Sequence, residues 1–333
     1  MSENARYWIW LQNALGYGAK IKSIIDEYKS AKLLYELGES EWKMSTVLSK
    51  RQVEKLIMTD VGKSDEIIDC CSKNGYKIID FDDKAYPKRL KEIINPPAVL
   101  YVDGELPDID NLVCIGMVGT RKASEYAIKA AHIMAKGITE AGALVVSGGA
   151  LGIDTYSHLG ALACGGKTVA VLGNGLGNNY LKANEGLRNM IKQSGALVTE
   201  YQPNVPANRT SFPMRNRIIS GLSLGILVVE AGVKSGSLIT ANLAIEQNRD
   251  VYAVPASIFS SDFSGTNKLI SDGARLAINP VNVVEAYEND YPTLDLSKIR
   301  TANEIVLDNS EKTLDTSIVK KKSAKELNVK PTP

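Results

Sequence analysis

The residues of this chain most able to do chemistry lie in one polar segment, residues 203–217, that contains no Asp or Glu. It holds three arginines, Arg209, Arg215 and Arg217, and one aromatic ring, Phe212. Guanidinium groups neutralise nucleic-acid phosphates, and an aromatic ring offers a flat face on which a base can stack. Because the segment supplies no carboxylate to pair with the arginines, the pattern favours single-strand binding over a structural role, above all for Arg217 and Phe212.

A second candidate group, Gly119-Thr120-Arg121, follows a continuous apolar run and precedes a predicted helix. Free amides at a helix amino terminus, the positive end of the helix dipole and a guanidinium together suit an oxyanion such as phosphate. The dinucleotide fingerprint Gly-x-Gly-x-x-Gly is absent here, and an arginine stands where that loop needs bare backbone. The sequence therefore predicts a phosphate site, and no cofactor is expected.

Three further loops carry hydroxyl or ammonium groups that could reach the same ligand. Ser235 and Ser237 stand at the predicted start of a helix, where an oxyanion is favoured, and Lys268 follows a similar glycine-containing loop. Lys182 follows a glycine-rich segment, residues 173–180. The flexibility of that segment suits an extended ligand, but it equally suits a plain tight connection.

Asp154 and His158 stand one helical turn apart and invite a catalytic or metal-binding interpretation. No third ligand is evident, and the chain has only two histidines and four cysteines, without Cys-x-x-Cys spacing. We therefore expect Asp154 to cap the helix that carries His158 and expect neither a metal site nor a disulfide framework.

The loops that hold these residues alternate with apolar runs and helical patterns in the way of an α/β fold. The predicted strands cover residues 113–118, 143–147, 167–172, 196–200, 224–230 and 250–255. Predicted helices between them include residues 124–141 and 235–248. This alternation gives a doubly wound, mainly parallel sheet, and ligands of such sheets bind outside the carboxyl ends of the strands. We therefore expect the candidate loops to share one edge of the sheet.

The chain divides into four regions by composition and pattern. Residues 1–75 have apolar positions at helical spacing around Gly16-Tyr17-Gly18, which predicts a small all-α domain resembling a SAM-like or helix-hairpin-helix module. Amides in such a turn can contact phosphate, although packing is the simpler role. Residues 76–111 are predicted to be a connector that ends in an edge strand, residues 112–288 the α/β domain, and residues 289–333 a flexible polar tail.

The overall composition limits the classes of protein to consider. The chain has 333 residues, 44% of them hydrophobic and 23% charged, and a formal net charge of +1 at pH 7. No stretch approaches the roughly 20 apolar residues of a membrane span, and no signal-peptide core follows the polar amino terminus. These features predict a soluble cytoplasmic protein, without membrane insertion, in which contact with nucleic acid arises from a local basic surface.

Taken together, the loops resemble the DNA-processing protein A family, DprA or Smf, over about residues 86–277. The resembling segments are Tyr86-Pro87, Pro96-Pro97, Val118-Gly119-Thr120-Arg121, Ser147-Gly148, Gly152-Ile153-Asp154 with His158, Val171-Leu172-Gly173, Gly175-Leu176, Phe212-Pro213, Arg215-Asn216-Arg217-Ile218-Ile219-Ser220-Gly221-Leu222-Ser223, Val229-Glu230-Ala231, Ser235-Gly236-Ser237-Leu238-Ile239-Thr240-Ala241 and Gly265-Thr266-Asn267. Their number and order make the resemblance highly specific.

The resemblance implies that residues 112–288 form a Rossmann-like DNA-binding domain through which the protein dimerises. It implies that the protein binds single-stranded DNA and loads RecA recombinase onto it during natural transformation and recombination, with no catalytic step. Carried over residue by residue, the DNA site consists of Gly119, Thr120, Arg121, Lys182, Arg209, Phe212, Arg215, Asn216 and Arg217. The basic residues would hold phosphates, and Phe212 would meet a base.

This sequence departs from the family pattern in places. Gly177 stands where an aspartate is usual, Leu181 where a proline follows the tyrosine, and Ala256 where a glycine follows Val-Pro. None of these changes removes a basic residue of the site. Many relatives end in a winged-helix domain, but residues 289–333 are mostly polar and few for one, so we expect it to be absent or degenerate.

A second hypothesis is an enzyme, because the fold also resembles the phosphoribohydrolases that activate cytokinins by cleaving nucleoside monophosphates. Asp154 or Glu230 would then supply the catalytic carboxylate. Those enzymes use a glutamate after Gly-Gly-x-Gly-Thr, whereas the helix predicted from Ser235 has no acid before Glu246. The catalytic machinery is therefore expected to be missing.

Overall fold

The structure, a computed structural model, describes residues 2–299. Its α-helices are α1 (Ala5–Leu15), α2 (Lys22–Tyr28), α3 (Ala31–Met44), α4 (Lys50–Met58), α5 (Gly62–Asn74), α6 (Lys88–Lys91), α7 (Glu125–Glu140), α8 (Ile153–Ala163), α9 (Glu185–Ser194), α10 (Ser211–Leu222), α11 (Ser237–Glu246), α12 (Ser264–Ser271) and α13 (Val281–Val284). Short 3₁₀ helices cover Ile109–Asn111, Lys182–Asn184, Ser261–Phe263, Glu285–Tyr287 and Leu296–Lys298. The strands are β1 (Lys77–Asp80), β2 (Val99–Gly104), β3 (Cys114–Val118), β4 (Leu144–Ser147), β5 (Thr168–Val171), β6 (Ala196–Thr199), β7 (Gly225–Val228), β8 (Asp250–Ala253) and β9 (Arg275–Leu276).

The strands form a single sheet in the order β1-β2-β6-β5-β4-β3-β7-β8-β9. The seven from β6 to β9 in that order run parallel, while β2 pairs antiparallel with both β1 and β6. The chain winds outward from β3 to β6 and then returns to place β7 on the other side of β3. The predicted doubly wound, mainly parallel sheet is confirmed, and all six predicted strands are present within two residues of their expected ends.

Both faces of the parallel strands are covered, which explains their continuous apolar runs. On one face α7 packs through small residues such as Ala127 and Ala131. On the other face α10 packs through Ile218 and Leu222, together with alanines of α11. The helices on both sides fix the loops that leave the carboxyl ends of the strands.

The expected edge strand of the connector is not at the edge. The apolar run in residues 99–102 forms β2 as predicted, but β2 lies between β1 and β6, and β1 is the edge strand. A run as short as Ile78-Ile79 does not identify a strand by its own pattern. The connector is therefore part of the sheet rather than a link between two domains.

The Gly16-Tyr17-Gly18 turn joins α1 to α2 and packs against the α/β domain. Both glycines have positive φ, 88° and 71°, which residues with a side chain rarely adopt. The Gly18 amide donates a hydrogen bond of 3.3 Å to the Glu200 carboxylate, and the Tyr17 ring lies 4.5 Å from the Tyr201 ring. The Gly18 amide, which could have donated to a phosphate, thus already donates to the Glu200 carboxylate. The turn therefore has a packing role.

The first part of the predicted flexible tail, residues 289–299, is packed. Leu294 is buried, the Asp295 amide donates to the Ala141 carbonyl at 2.9 Å, and Arg89 donates to the Tyr291 hydroxyl at 3.3 Å. The α/β domain therefore extends beyond its predicted end. Residues 300–333, and with them the expectations of a flexible tail and of no winged helix, lie outside the described residues. No helix within residues 2–299 combines the length and apolar character needed to cross a membrane.

Candidate functional site

A cleft of about 560 Å³ opens at the carboxyl edge of the sheet, where the strand order reverses between β3 and β7. Loops after adjacent strands that lead to opposite sides of a sheet leave such an opening. The loops after β3, β4 and β7 and the first turns of α10 line it. Of the predicted site residues, Gly119, Thr120, Arg121, Arg209, Phe212, Arg215, Asn216 and Ser235 line the cleft, whereas Lys182, Arg217 and Lys268 do not.

Arg121 and Phe212 are in direct contact at the mouth of this cleft. The Arg121 guanidinium carbon lies 4.9 Å from the centre of the Phe212 ring, a distance typical of a cation–π contact. The Tyr180 ring lies 5.3 Å from the same ring at an angle of 41°. A Cβ atom at Gly173 would be 2.8 Å from the Phe212 ring, so only glycine leaves this position open for the ring. Phe212 is therefore half-buried and already contacts two flat side chains.

Three of the cations predicted from the sequence are exposed and form no ion pair among the described residues. Arg121 and Arg209 line the cleft, and Lys182 begins the 3₁₀ helix that follows Tyr180. Within residues 2–299, none of the three forms a salt bridge, and the Asn216 side-chain amide has no hydrogen-bond partner. Exposed cations that have no carboxylate partner are available to an anionic ligand.

Arg215 holds the loops beneath the cleft. It is 4% exposed, and its Nη1 donates a hydrogen bond of 2.7 Å to the Gly148 carbonyl and a second to the Val171 carbonyl. These carbonyls follow β4 and end β5, so the guanidinium fixes both loops to α10. Burial raises the pKa of the nearby Asp154 carboxyl, and the positive charge of Arg215 opposes that rise. Arg215 therefore contributes a fixed, poorly solvated positive charge under the cleft.

Arg217 does not face the cleft, and its predicted contact with phosphate is wrong. The side chain is 2% exposed, and its Nη2 donates to the Glu200 carboxylate at 2.6 Å, with Glu200 only 1% exposed. Two residues correspond to about 200° around a helix, so Arg217 points away from the side of α10 that carries Arg215. The partner was missed because Glu200 lies just outside the acid-free segment, 17 residues earlier in the chain.

Ser235 and Lys268 differ in their placement. The Ser235 and Ser237 hydroxyls are 2.8 Å apart at the start of α11 and line the cleft, as predicted. Lys268 lies on the exposed side of α12, where it pairs with Asp272. The structure therefore does not bring Lys268 to the cleft.

His158 faces the core, not the cleft. The Thr168 hydroxyl donates to the Val145 carbonyl at 2.8 Å, so we infer that His158 Nδ1, also 2.8 Å from that hydroxyl, carries the proton donated to it. Burial lowers the pKa of His158 to about 3. The imidazole is therefore neutral in the folded protein near neutral pH.

The two carboxylates considered for catalysis are both engaged with backbone amides. Asp154 accepts from the Ala150 amide at 3.2 Å, so it braces the turn before α8 rather than capping the first amides of that helix as expected. Glu230 is buried and accepts from the Ser124 amide at 2.9 Å, at the start of α7. A carboxylate there is favoured by the helix dipole.

The cleft also contains residues that the sequence did not assign to the site, among them Tyr180 and Thr240. Tyr180 lies against Phe212, and Thr240 lines the wall formed by α11. The tyrosine stood in the glycine-rich segment as an aromatic residue among polar ones, a signal like that of Phe212. Thr240 lies within a helix and carried no such signal.

Comparison with known proteins identifies one family. The model of the family described as DNA recombination-mediator protein A matches residues 77–288, a range that begins at β1. The chain is 39% identical over 213 residues to the DNA processing protein DprA of Bacillus subtilis (strain 168), covering 64% of this chain and 72% of the relative.

Two solved structures of DprA proteins are also similar to this chain. The X-ray structure of DprA from Streptococcus pneumoniae matches with a TM-score of 0.75 and 31% identity, over 86% of this chain and 98% of that one. A structure of DprA from Helicobacter pylori, which concerns its binding of single-stranded DNA, matches with a TM-score of 0.59 and 29% identity, over 65% of this chain and 97% of that one.

Proposed function

Because this chain belongs to the DNA recombination-mediator protein A family, we propose that its cleft binds single-stranded DNA. The observation that carries the proposal is the exposed, unpaired guanidinium of Arg121 stacked on Phe212 at the mouth of the cleft. The single-stranded DNA binding of the Helicobacter pylori relative supports the same ligand.

In this proposal the cleft holds the strand through its phosphates. Arg121 and Arg209 pair with phosphate oxygens, and Arg215 adds a fixed positive charge from below. The Thr120 and Ser235 hydroxyls are further donors to the same oxygens. Counterions leave the strand when the cations bind, so affinity falls with rising salt concentration.

The bases are held by flat side chains in the same proposal. Arg121, Phe212 and Tyr180 offer guanidinium and ring faces to unpaired bases. A duplex hides these base faces inside its stack, whereas a single strand exposes them. The site therefore prefers single strands to duplex.

We further propose that the protein is a mediator without a chemical step, loading a RecA recombinase onto the bound strand in natural transformation and recombination. The description of the family as a recombination mediator supports this role. The engagement of Asp154 and Glu230 by backbone amides argues against a free catalytic base. The expected cytoplasmic location remains a prediction.

A homodimer is also part of the proposal. The short edge strand β9 ends the sheet and carries Leu276, which is 48% exposed, and Ile278 just after the strand is 66% exposed. An unpaired edge with apolar side chains suits a second copy of the chain. Sedimentation of the protein over a range of concentrations measures its oligomeric state, and a monomer throughout would contradict the dimer.

The test of the main proposal is fluorescence anisotropy of labelled single-stranded and duplex oligonucleotides across a salt series. We expect tight, salt-dependent binding that prefers the single strand. Equal affinity for duplex, or affinity that does not change with salt, would contradict the proposal. Recombinase loading is tested separately, by the rate at which RecA filaments form on a strand already covered by single-strand binding protein, with and without this protein.

A further inference from the structure

The loop after β8 exposes the two most accessible large apolar side chains of the described residues. Phe259 is 92% exposed and its neighbour Ile258 is 87% exposed. The loop after β7 adds Val233, which is 64% exposed. Apolar side chains gathered in this way mark a contact surface more often than isolated ones do.

This surface lies on the same edge of the sheet as the cleft. The strand order β3-β7-β8 places the loop after β8 beside the loop after β7, which lines the cleft. The Gly265 amide donates to the Ala231 carbonyl at 2.7 Å, and the Tyr126 hydroxyl donates to the Pro255 carbonyl at 3.0 Å. Two strand spacings, about 10 Å, separate β3 from β8. A single strand of nucleic acid that leaves the cleft can therefore reach Phe259, in the loop after β8, within a few nucleotides.

Unpaired cations lie along this route. Lys122 follows Arg121 after β3, and Lys234 lies in the loop after β7. Both lysines are exposed, and neither forms a salt bridge among the described residues. Two exposed acids also follow these strands, Glu125 at the start of α7 and Asp262 in the 3₁₀ helix after β8. The surface around Lys122 and Lys234 is therefore only weakly basic. If nucleic acid binds there, an aromatic contact contributes more to the binding than charge does.

Phe259 also differs from Phe212 in the freedom of its ring. The Phe212 ring already contacts Arg121 and Tyr180, whereas Phe259 contacts no other ring or cation within residues 2–299. Both faces of Phe259 are therefore open to a ligand. Stacking on an open aromatic face accepts any base, as a single-strand binder without sequence preference requires.

We propose that Phe259 is a second base-stacking platform, which holds nucleotides of the same strand after it leaves the cleft past Lys234. The proposal rests on the proposed binding of single-stranded DNA. It extends the site from one cleft to a path along three neighbouring loops. The occupant is single-stranded nucleic acid because the surface continues from the cleft and the loops between carry unpaired lysines.

The experiment compares oligothymidylates of about 4 and about 16 nucleotides, which span the site sizes of single-strand binding modules. The variants are Phe259→Ala, Phe259→Leu and Phe259→Trp, with Ile94→Ala as a matched control because Ile94 is an exposed apolar residue on the connector. Phe259 is so exposed that we expect all variants to melt at the wild-type temperature.

We expect Phe259→Ala to weaken binding of the long oligonucleotide by about 5- to 150-fold, the effect of losing one stacked base, and to leave the short one unchanged. The salt slope should not change, since stacking neutralises no phosphate. Phe259→Trp should keep the affinity and Phe259→Leu should not, whereas Ile94→Ala should behave as wild type.

Other results separate the two proposals. If short oligonucleotides bind with a normal salt slope but Phe259→Ala has no effect on long ones, the platform is wrong and the cleft proposal stands. Full rescue by Phe259→Leu would also overturn the platform, because it would show an apolar contact of the kind a protein partner makes. If wild-type protein binds neither length, both proposals fail.

Discussion

Arg217 and Glu200 form a buried ion pair, with 2.6 Å between Nη2 and Oε2 and both side chains at most 2% exposed. The same Glu200 oxygen accepts a hydrogen bond of 3.3 Å from the Gly18 amide. Burial raises the pKa of Glu200, and the Arg217 guanidinium opposes that rise. The pair thus joins α10, which carries the cleft residues, to the end of β6 and to the helical domain.

Arg217→Ala should therefore destabilise the fold more than it affects the ligand site. Removing one partner leaves the Glu200 carboxylate buried without its counter-charge, which costs about 3–5 kcal/mol. Urea denaturation measures the free energy of unfolding. Anisotropy at a temperature where the variant is folded should give nearly wild-type affinity for single strands. An unchanged unfolding midpoint, together with weaker binding and a salt slope lower by about 0.7, would show that Arg217 contacts phosphate after all.

Glu200→Gln provides the matched variant for this pair. The amide keeps the volume and can still accept from the Gly18 amide, but it removes the negative charge. A double-mutant cycle with Arg217→Ala should give a coupling energy between the two side chains, because they are in direct contact. Additive effects would mean that each side chain stabilises the fold through its own packing rather than through the attraction between the two charges.

Arg121→Ala should weaken single-strand binding without lowering stability, since this side chain is exposed and unpaired. Loss of one phosphate contact should reduce the slope of log affinity against log salt by about 0.7. The control is Lys167→Ala, which removes the same charge from an exposed position just before β5, at the opposite edge of the sheet. Equal losses in both variants would attribute the effect to net charge rather than to the cleft.

Much of the fold could be predicted because the parallel strands are buried on both faces and are therefore visible in the sequence as continuous apolar runs. The two edge strands could not. β1 has four residues and β9 has two. Each is held in the sheet by pairing with a single neighbour, β1 with β2 and β9 with β8. Their own residues carry no alternating or continuous pattern long enough to indicate a strand.

The cleft could be predicted where its residues follow a strand directly, as Gly119 to Arg121 do. Arg217 could not be assigned, because whether a helical side chain faces ligand or core depends on which side of α10 packs on the sheet. Lys268 is different, since its partner Asp272 is four residues away on the same helix. That spacing is visible in the sequence and predicts a surface pair.

Phe212→Ala should weaken binding by about 1–3 kcal/mol if a base stacks against the ring or against the guanidinium that the ring supports. Gly173→Ala makes an independent test. A Cβ at this position would be 2.8 Å from the ring, so the ring must move while Arg121 is left intact. Both variants should lower affinity in the same anisotropy measurement. Full affinity in Phe212→Ala would leave the ring with a packing role alone.

The buried His158 should make the protein less stable in mild acid. Its pKa is about 3 in the folded protein against 6.5 for an ordinary histidine, because the ring is buried and Arg215 lies nearby. Between these values the unfolded chain binds a proton that the folded protein does not. The free energy of unfolding should therefore fall as pH decreases from about 6.5 towards 3, by about 1.4 kcal/mol per pH unit from this residue.

His158→Asn isolates this contribution, because the asparagine amide can still donate to the Thr168 hydroxyl. The variant has lower absolute stability from the smaller side chain, so the comparison uses the slope of stability against pH. His132, whose pKa burial also lowers, remains in both proteins and cancels in the difference. We expect a shallower acid slope in the variant by urea denaturation from pH 7 to about 4. Identical slopes would mean that His158 gains a proton in the folded state, and that its Nε2 has a partner there.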